Sequence, residues 1–241
     1  MGHSQGGQQA IISLIAEESS VFMKENTERV IALAPSVFIS PPSDWWVINF
    51  GLKQFYNVLN FWLDWFHFDE IFRNGCAMDT PNKNWWSEKC VEWPTLCSAF
   101  FSLFSGDSKF NNPTENPLHY FNHHPNGSSL WNIMHLAQLS FQAENNYKLY
   151  MYDHGSYQNG LHYSQYVPPV WKLPLIEGTP VFLYSGQDDS VVDMKATKKL
   201  WKVIGGFEGN KMSVLENWDH DSFMFGREME RLFEMWDKDL F

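Results

Sequence analysis

The sequence predicts an α/β fold, a parallel sheet flanked by helices and interrupted by one long insertion. Three observations carry this. Short apolar runs end at turn residues, helical patterns alternate with those runs, and one long aromatic stretch separates the first run from the second. Residues 5–16 read QGGQQAIISLIA, whose apolar C-terminal part suits a buried helix beginning just after Ser4. Residues 30–34, VIALA, form a short apolar run closed by Pro35, the pattern of a strand buried on both faces of a parallel sheet. Residues 180–185, PVFLYS, repeat that pattern and are closed by Gly186, and residues 211–215 form a third, weaker strand. Between these, 193–204 predict a helix stopped by Gly205-Gly206. Residues 225–237 predict a final amphipathic helix, with Met229, Leu232, Phe233 and Trp236 at helical spacing. Strand, helix, strand, helix is a parallel α/β unit.

A chain of 241 residues holds one large domain, or a core domain with one insertion. The pattern divides it into a core start at 1–35, an insertion over 36–172 and a core end at 173–241. The insertion holds most of the aromatic residues, which make up 17% of the chain, and all three cysteines. Cys76, Cys90 and Cys97 show no CxxC zinc spacing, and at most one internal disulfide can form among them. The most aromatic stretch, 45–72, is interrupted by Lys53, Asp64, His67, Asp69 and Glu70 and is not a spanning helix. Its rings suit the core of the inserted unit or an exposed aromatic cover, and both readings can hold for different rings. A net charge of −11 without any basic stretch excludes nucleic-acid binding. His119, His123, His124 and His135 lack the spacing of a metal-ligand set, so no metal and no other cofactor is expected. No obligate protein partner is indicated. No basic and apolar leader pattern follows Met1, and Asn126-Gly127-Ser128 is a glycosylation sequon.

The chemistry begins at residue 2. Gly2-His3-Ser4-Gln5-Gly6 fits G-x-S-x-G, a sharp strand-to-helix turn that lifts a serine hydroxyl clear of the sheet. Glycine is expected at both ends because a side chain at either would meet the neighbouring strand or helix. The helix N-terminus favours developing negative charge, and the backbone N–H of Gln5 can supply half of an oxyanion hole. A serine hydroxyl needs a base, and the base needs an orienting acid. On this turn the chain order is Ser, then Asp or Glu, then His, with acid and histidine on loops after late strands. The loop after 180–185 offers Asp188, Asp189 and Asp193, and the loop after 211–215 ends in His220. Both loops fall at C-terminal strand ends, where parallel sheets place their sites. Asp193 also suits an N-cap of the following helix, and the pattern leaves the acid open among the three.

These motifs together resemble the acid lipase family of α/β-hydrolases, the group containing gastric lipase and lysosomal acid lipase. Gly-His-Ser-Gln-Gly is that family's form of the elbow, and Leu33-Ala34-Pro35 matches its next strand. Residues 131–138, WNIMHLAQ, resemble a family helix before the chain returns to the core. Tyr152-Asp153-His154-Gly155-Ser156, with Asn159, His162-Tyr163, Gln165 and Pro168-Pro169, resembles its return loop. Ser185-Gly186-Gln187-Asp188-Asp189 resembles the acid loop, and aligning the glycine puts the acid at Asp189; His220 with Phe223 resembles the histidine loop. Gly7-Gln8 and Asp221-Ser222 depart from the commonest family residues.

The resemblance implies an α/β-hydrolase fold, here the C-terminal portion of a parallel sheet with a large, mostly helical cap insertion. It implies hydrolysis of neutral lipid esters, acylglycerols or steryl esters, at an oil–water or membrane interface, in a secreted or lysosomal setting. The catalytic residues would be Ser4, Asp189 and His220. The alternatives are an esterase for small soluble esters and a non-catalytic remnant. Because the elbow stands at residue 2, the resemblance implies a shortened chain in which residues 30–34 form an open apolar sheet edge. Such a chain would be a poor catalyst, since losing one oxyanion donor costs about 3 kcal/mol of transition-state stabilisation.

Overall fold

The computed structural model describes residues 1–39, 127–142 and 147–240, together with 70–71, 89, 92–93, 95 and 105–106. The aromatic stretch 45–72 apart from Glu70 and Ile71, the cysteines, His119, His123, His124 and Asn126 lie outside the described residues.

The chain opens with strand β1 (Gly2–His3), turns at Ser4 into helix α1 (Gln5–Ser13), and passes through α2 (Ser20–Asn26) to β2 (Val30–Leu33). Between β2 and the later strands, β3 (Glu70–Ile71) pairs antiparallel with β4 (Ser128–Ser129), and β4 leads into α3 (Leu130–Gln142). The chain then runs through α4 (Ser156–Tyr163) and a 3₁₀ turn at Leu173–Leu175 to β5 (Val181–Gly186), α5 (Met194–Ile204) and β6 (Lys211–Leu215). It closes with α6 (Ser222–Phe225) and α7 (Met229–Leu240).

Four strands form one parallel sheet in the order β1-β2-β5-β6. Residues 30–34 are therefore not an open edge, contrary to the expectation from the sequence. Strand β2 is interior, paired with β1 at Gly2↔Ala32 and with β5 at Val30↔Val181. Its polar backbone is paired on both sides because the strand leading into Ser4, short as it is, comes alongside it. Strand β6 borders β5 and carries the exposed Lys211, a charge that discourages further pairing.

Side chains alternate across the sheet and build two apolar layers. Val30, Ala32, Val181 and Leu183 face one side, where Ile11 and Leu14 of the first helical segment and Ala196, Leu200 and Ile204 of α5 cover them. Leu33, Phe182 and Tyr184 face the other, against Leu215, Trp218, Phe223 and Leu232. The helix expected over 225–237 is broken at Gly226, which is extended, and α7 starts at Met229. Leu232 is fully buried, whereas Phe233 projects to solvent and takes no place in the core.

The return segment explains why its residues carried a recognisable pattern. Gln138 of α3 donates to the Asp153 carbonyl (2.8 Å) and accepts from the Asp153 N–H (2.9 Å). The buried Asn159 side chain accepts from the His154 N–H (2.9 Å) and donates to the Asp153 carboxylate (2.7 Å) and the Tyr166 carbonyl (3.1 Å). Tyr163 donates from its hydroxyl to the Tyr152 carbonyl (3.1 Å). These side-chain bonds close the loop together with a short antiparallel backbone bridge between Tyr150 and Val170.

Candidate active site

Three loops meet at the C-terminal ends of β1, β5 and β6. The elbow is fixed from both sides: the Ser4 N–H donates to the Leu33 carbonyl (2.9 Å), and the Ser4 carbonyl accepts from the N–H groups of Gln8 and Ser36 (3.1 Å each). Ser4 sits at φ 52°, ψ −119°, a conformation that costs a non-glycine residue energy and that the surrounding bonds hold in place. A Cβ on Gly2 would overlap the carbonyl of Gly6 and lie 2.7 Å from the Gly7 nitrogen. Gly7 is also tight, its Cβ position 3.0 Å from both the Gly2 oxygen and the Pro35 Cβ. Gly6 differs from the expectation, since among the described residues no atom beyond its chain neighbours and its own helix backbone lies within 4 Å of a Cβ placed there. The crowding falls on Gly2 and Gly7, so the departure at position 7 has a packing reason.

The acid and histidine loops cross. Gly186 at the end of β5 has no room for a Cβ against the Trp218 carbonyl, and the Asp188 N–H donates to that same carbonyl (2.9 Å). This contact aligns the two loops. His220 Nδ1 donates to Asp189 Oδ2 (2.9 Å), and its Nε2 lies 2.8 Å from Ser4 Oγ, in position to accept the serine proton. The other Asp189 oxygen accepts from the N–H groups of Val191 and Val192 (2.8 Å each), and the carboxylate is fully buried. Asp193 instead caps α5, accepting from the Ala196 N–H (2.7 Å). The structure thus brings Ser4, His220 and Asp189 together in one chain of hydrogen bonds, with Asp188 held by its backbone and Asp193 turned to the helix. Gln5 opens α1, where a backbone N–H has no partner inside the helix.

Burial opposes protonation of His220, but the Asp189 carboxylate, with smaller contributions from Asp221 and Asp219, more than offsets it. The His220 pKa consequently lies above the ordinary histidine value.

Other residues support the site without an obvious sequence signal. His3 donates from Nε2 to the His220 carbonyl (2.8 Å), and its ring packs 4.8 Å from the His220 ring. The buried Asp219 accepts from the N–H and hydroxyl of Ser222 (2.8 and 2.6 Å), which fixes the turn that follows His220. Ser222, one of the residues that depart from the family pattern, therefore has a structural task. Among the described residues no group of three metal-ligating side chains converges.

No protein-family model matches the chain. It is similar to human lipase member N, 25% identical over 232 residues covering 94% of this chain and 53% of that one. Mouse gastric triacylglycerol lipase is 28% identical over 205 residues, 80% of this chain and 45% of the lipase. A solved structure, a soluble variant of monoglyceride lipase from Saccharomyces cerevisiae, aligns over 99% of this chain and 62% of its own at 15% identity and a TM-score of 0.48. The chain spans about half the length of the curated relatives it matches. Its parallel sheet and its strand–turn–helix elbow at Gly2–Gly6 have the α/β-hydrolase arrangement, and the chain is similar over nearly its whole length to lipases such as human lipase member N.

Proposed function

We propose that this chain carries the catalytic groups of a serine ester hydrolase that acts on neutral lipid esters, acylglycerols or steryl esters, at an oil–water or membrane interface. One observation supports this most: the hydrogen-bonded line from Ser4 Oγ through His220 to a buried, otherwise saturated Asp189. A hydroxyl held 2.8 Å from an imidazole nitrogen, with the other nitrogen fixed on a carboxylate, is an activated nucleophile.

Ser4 attacks the ester carbonyl as His220 Nε2 takes its proton. The negative charge that develops on the carbonyl oxygen is met by the Gln5 N–H at the start of α1. The intermediate collapses to an acyl-serine, and His220 returns the proton to the departing alcohol. Water, deprotonated by the same histidine, then releases the carboxylic acid and restores Ser4. Asp189 holds the imidazole in the tautomer this needs and stabilises the imidazolium. No step calls for a cofactor. A secreted or lysosomal setting accompanies the reading through the family resemblance.

The test is hydrolysis of an emulsified long-chain triacylglycerol against a soluble short-chain ester, with Ser4→Ala as control. The proposal expects turnover that favours the emulsion and is lost in Ser4→Ala. Preference for the soluble ester would favour a small-ester esterase, and turnover that persists in Ser4→Ala would overturn the assignment of the nucleophile.

A further inference from the structure

Two residues from deep within the insertion reach the catalytic loops. Ser105 and Gly106 are more than eighty positions upstream of Asp189, yet they lie between the acid loop and the histidine loop. The Ser105 carbonyl accepts two backbone N–H groups, that of His220 at 2.9 Å and that of Ser190 at 3.4 Å. One oxygen thus bonds to the residue following Asp189 and to the histidine itself. Gly106 forms an antiparallel bridge with Asp189. It sits at φ 118°, a region that glycine occupies without strain. A Cβ at this position would overlap the Asp188 carbonyl oxygen and lie 2.9 Å from the Asp219 Cβ. Ser105 itself is buried.

We propose that Ser105 and Gly106 are positioning residues for the reaction: a backbone clamp, supplied by the insertion, that sets the Asp189–His220 distance and the aim of His220 at Ser4. The proposal rests on the hydrolase reading above and goes beyond it, because it makes the insertion part of the machinery that aligns the catalytic groups. The alignment of His220 otherwise depends on its own loop, the His3 bond and Asp189. Pulling the two loops onto one carbonyl removes their freedom to slide past each other. The requirement at 106 is for the absence of a side chain; at 105 it is for a carbonyl in place.

The experiment uses the full chain with Gly106→Ala and two readings. One is the rate at which a fluorophosphonate labels Ser4, and the other is the downfield proton signal of His220 Nδ1–H hydrogen-bonded to Asp189. The clamp predicts labelling slowed about a hundredfold, as for an ångström-scale misplacement of catalytic groups, and a broadened or lost signal in a chain that still unfolds cooperatively. A folded Gly106→Ala chain with wild-type rate and signal overturns it. If Gly106→Ala does not fold, both readings are taken on a semisynthetic chain in which an ester replaces the amide between Asp219 and His220. That change deletes the N–H accepted by Ser105 and adds no bulk, and unchanged readings there overturn the clamp. A wild-type chain that takes no label overturns the hydrolase reading instead; the Nδ1–H signal then decides the clamp on its own, upheld if the variant loses it and overturned if it persists.

Discussion

A carboxylate that orients a histidine needs one oxygen for the imidazole and the other held still. Asp189 meets both conditions, with Oδ2 on His220 and Oδ1 on two backbone N–H groups. Asp189→Asn keeps the shape and reverses the donor–acceptor match, so ester turnover is expected to fall by about 10⁴-fold with little change in KM. Asp193→Ala should act differently. It removes an N-cap bond to Ala196, costing about 1 kcal/mol in thermal unfolding, and leaves turnover near wild type. Turnover lost in Asp193→Ala and kept in Asp189→Asn would make Asp193 the acid instead. The electrostatics around His220 give a prediction with a definite sign. The base works only when neutral, and its pKa lies above the ordinary histidine value, so the acid limb of the kcat/KM profile should lie above that value as well. Asp221→Asn withdraws one of the carboxylates that raise it, and the limb should then move to lower pH. A limb that stays in place would remove Asp221 from this account.

The elbow and its two partner loops show which parts of the elements were legible in the sequence. Apolar runs closed by Pro35 and Gly186 gave the strands to within a residue, because a strand buried on both faces has little choice of composition. The acid and histidine loops were legible for the same kind of reason, each following the end of a run, and Ser4 was legible from its G-x-S-x-G motif. The strand pattern alone left the acid open among Asp188, Asp189 and Asp193, and only the family alignment pointed to Asp189, since the side chain's setting depends on which N–H groups the turn at 190–192 presents. The break at Gly226 was also hidden, because the apolar positions that marked the helix, Met229, Leu232, Phe233 and Trp236, all lie beyond it. The motif's two glycines read as equivalent in sequence and are not equivalent in space. Gly2→Ala forces a Cβ into the Gly6 carbonyl, whereas Gly6→Ala enters a place that no described atom occupies and gains helix propensity of roughly 0.5–1 kcal/mol. Chemical denaturation should rank Gly6→Ala at or above wild type and Gly2→Ala well below it. Equal losses in both would contradict the steric account.

At the scale of the molecule, the sheet separates two apolar layers, and the site depends on both. The layer under α1 and α5 holds the elbow helix in place, and the layer under α7 holds Trp218 and Phe223, which flank His220. Leu232 is fully buried in the second layer, and Leu232→Ala should cost about 2–5 kcal/mol in unfolding free energy. Tyr184 ties that layer to the end of α7 through its hydroxyl on Asp239 (2.9 Å), and burial raises its pKa, with Asp239 adding to the effect. What the sequence did not disclose at this scale was pairing across long separations. It placed residues 30–34 at an edge, and it gave no sign that Ser105 meets Ser190 and His220 or that Gly106 meets Asp189, because such contacts follow from topology and leave no local period. Whether Ser4 is an activated nucleophile is read by fluorophosphonate labelling of the folded chain followed by peptide mapping. Modification is expected at Ser4, absent in Ser4→Ala and strongly slowed in His220→Ala. A folded chain that stays unmodified, or is modified at another serine, would contradict that expectation.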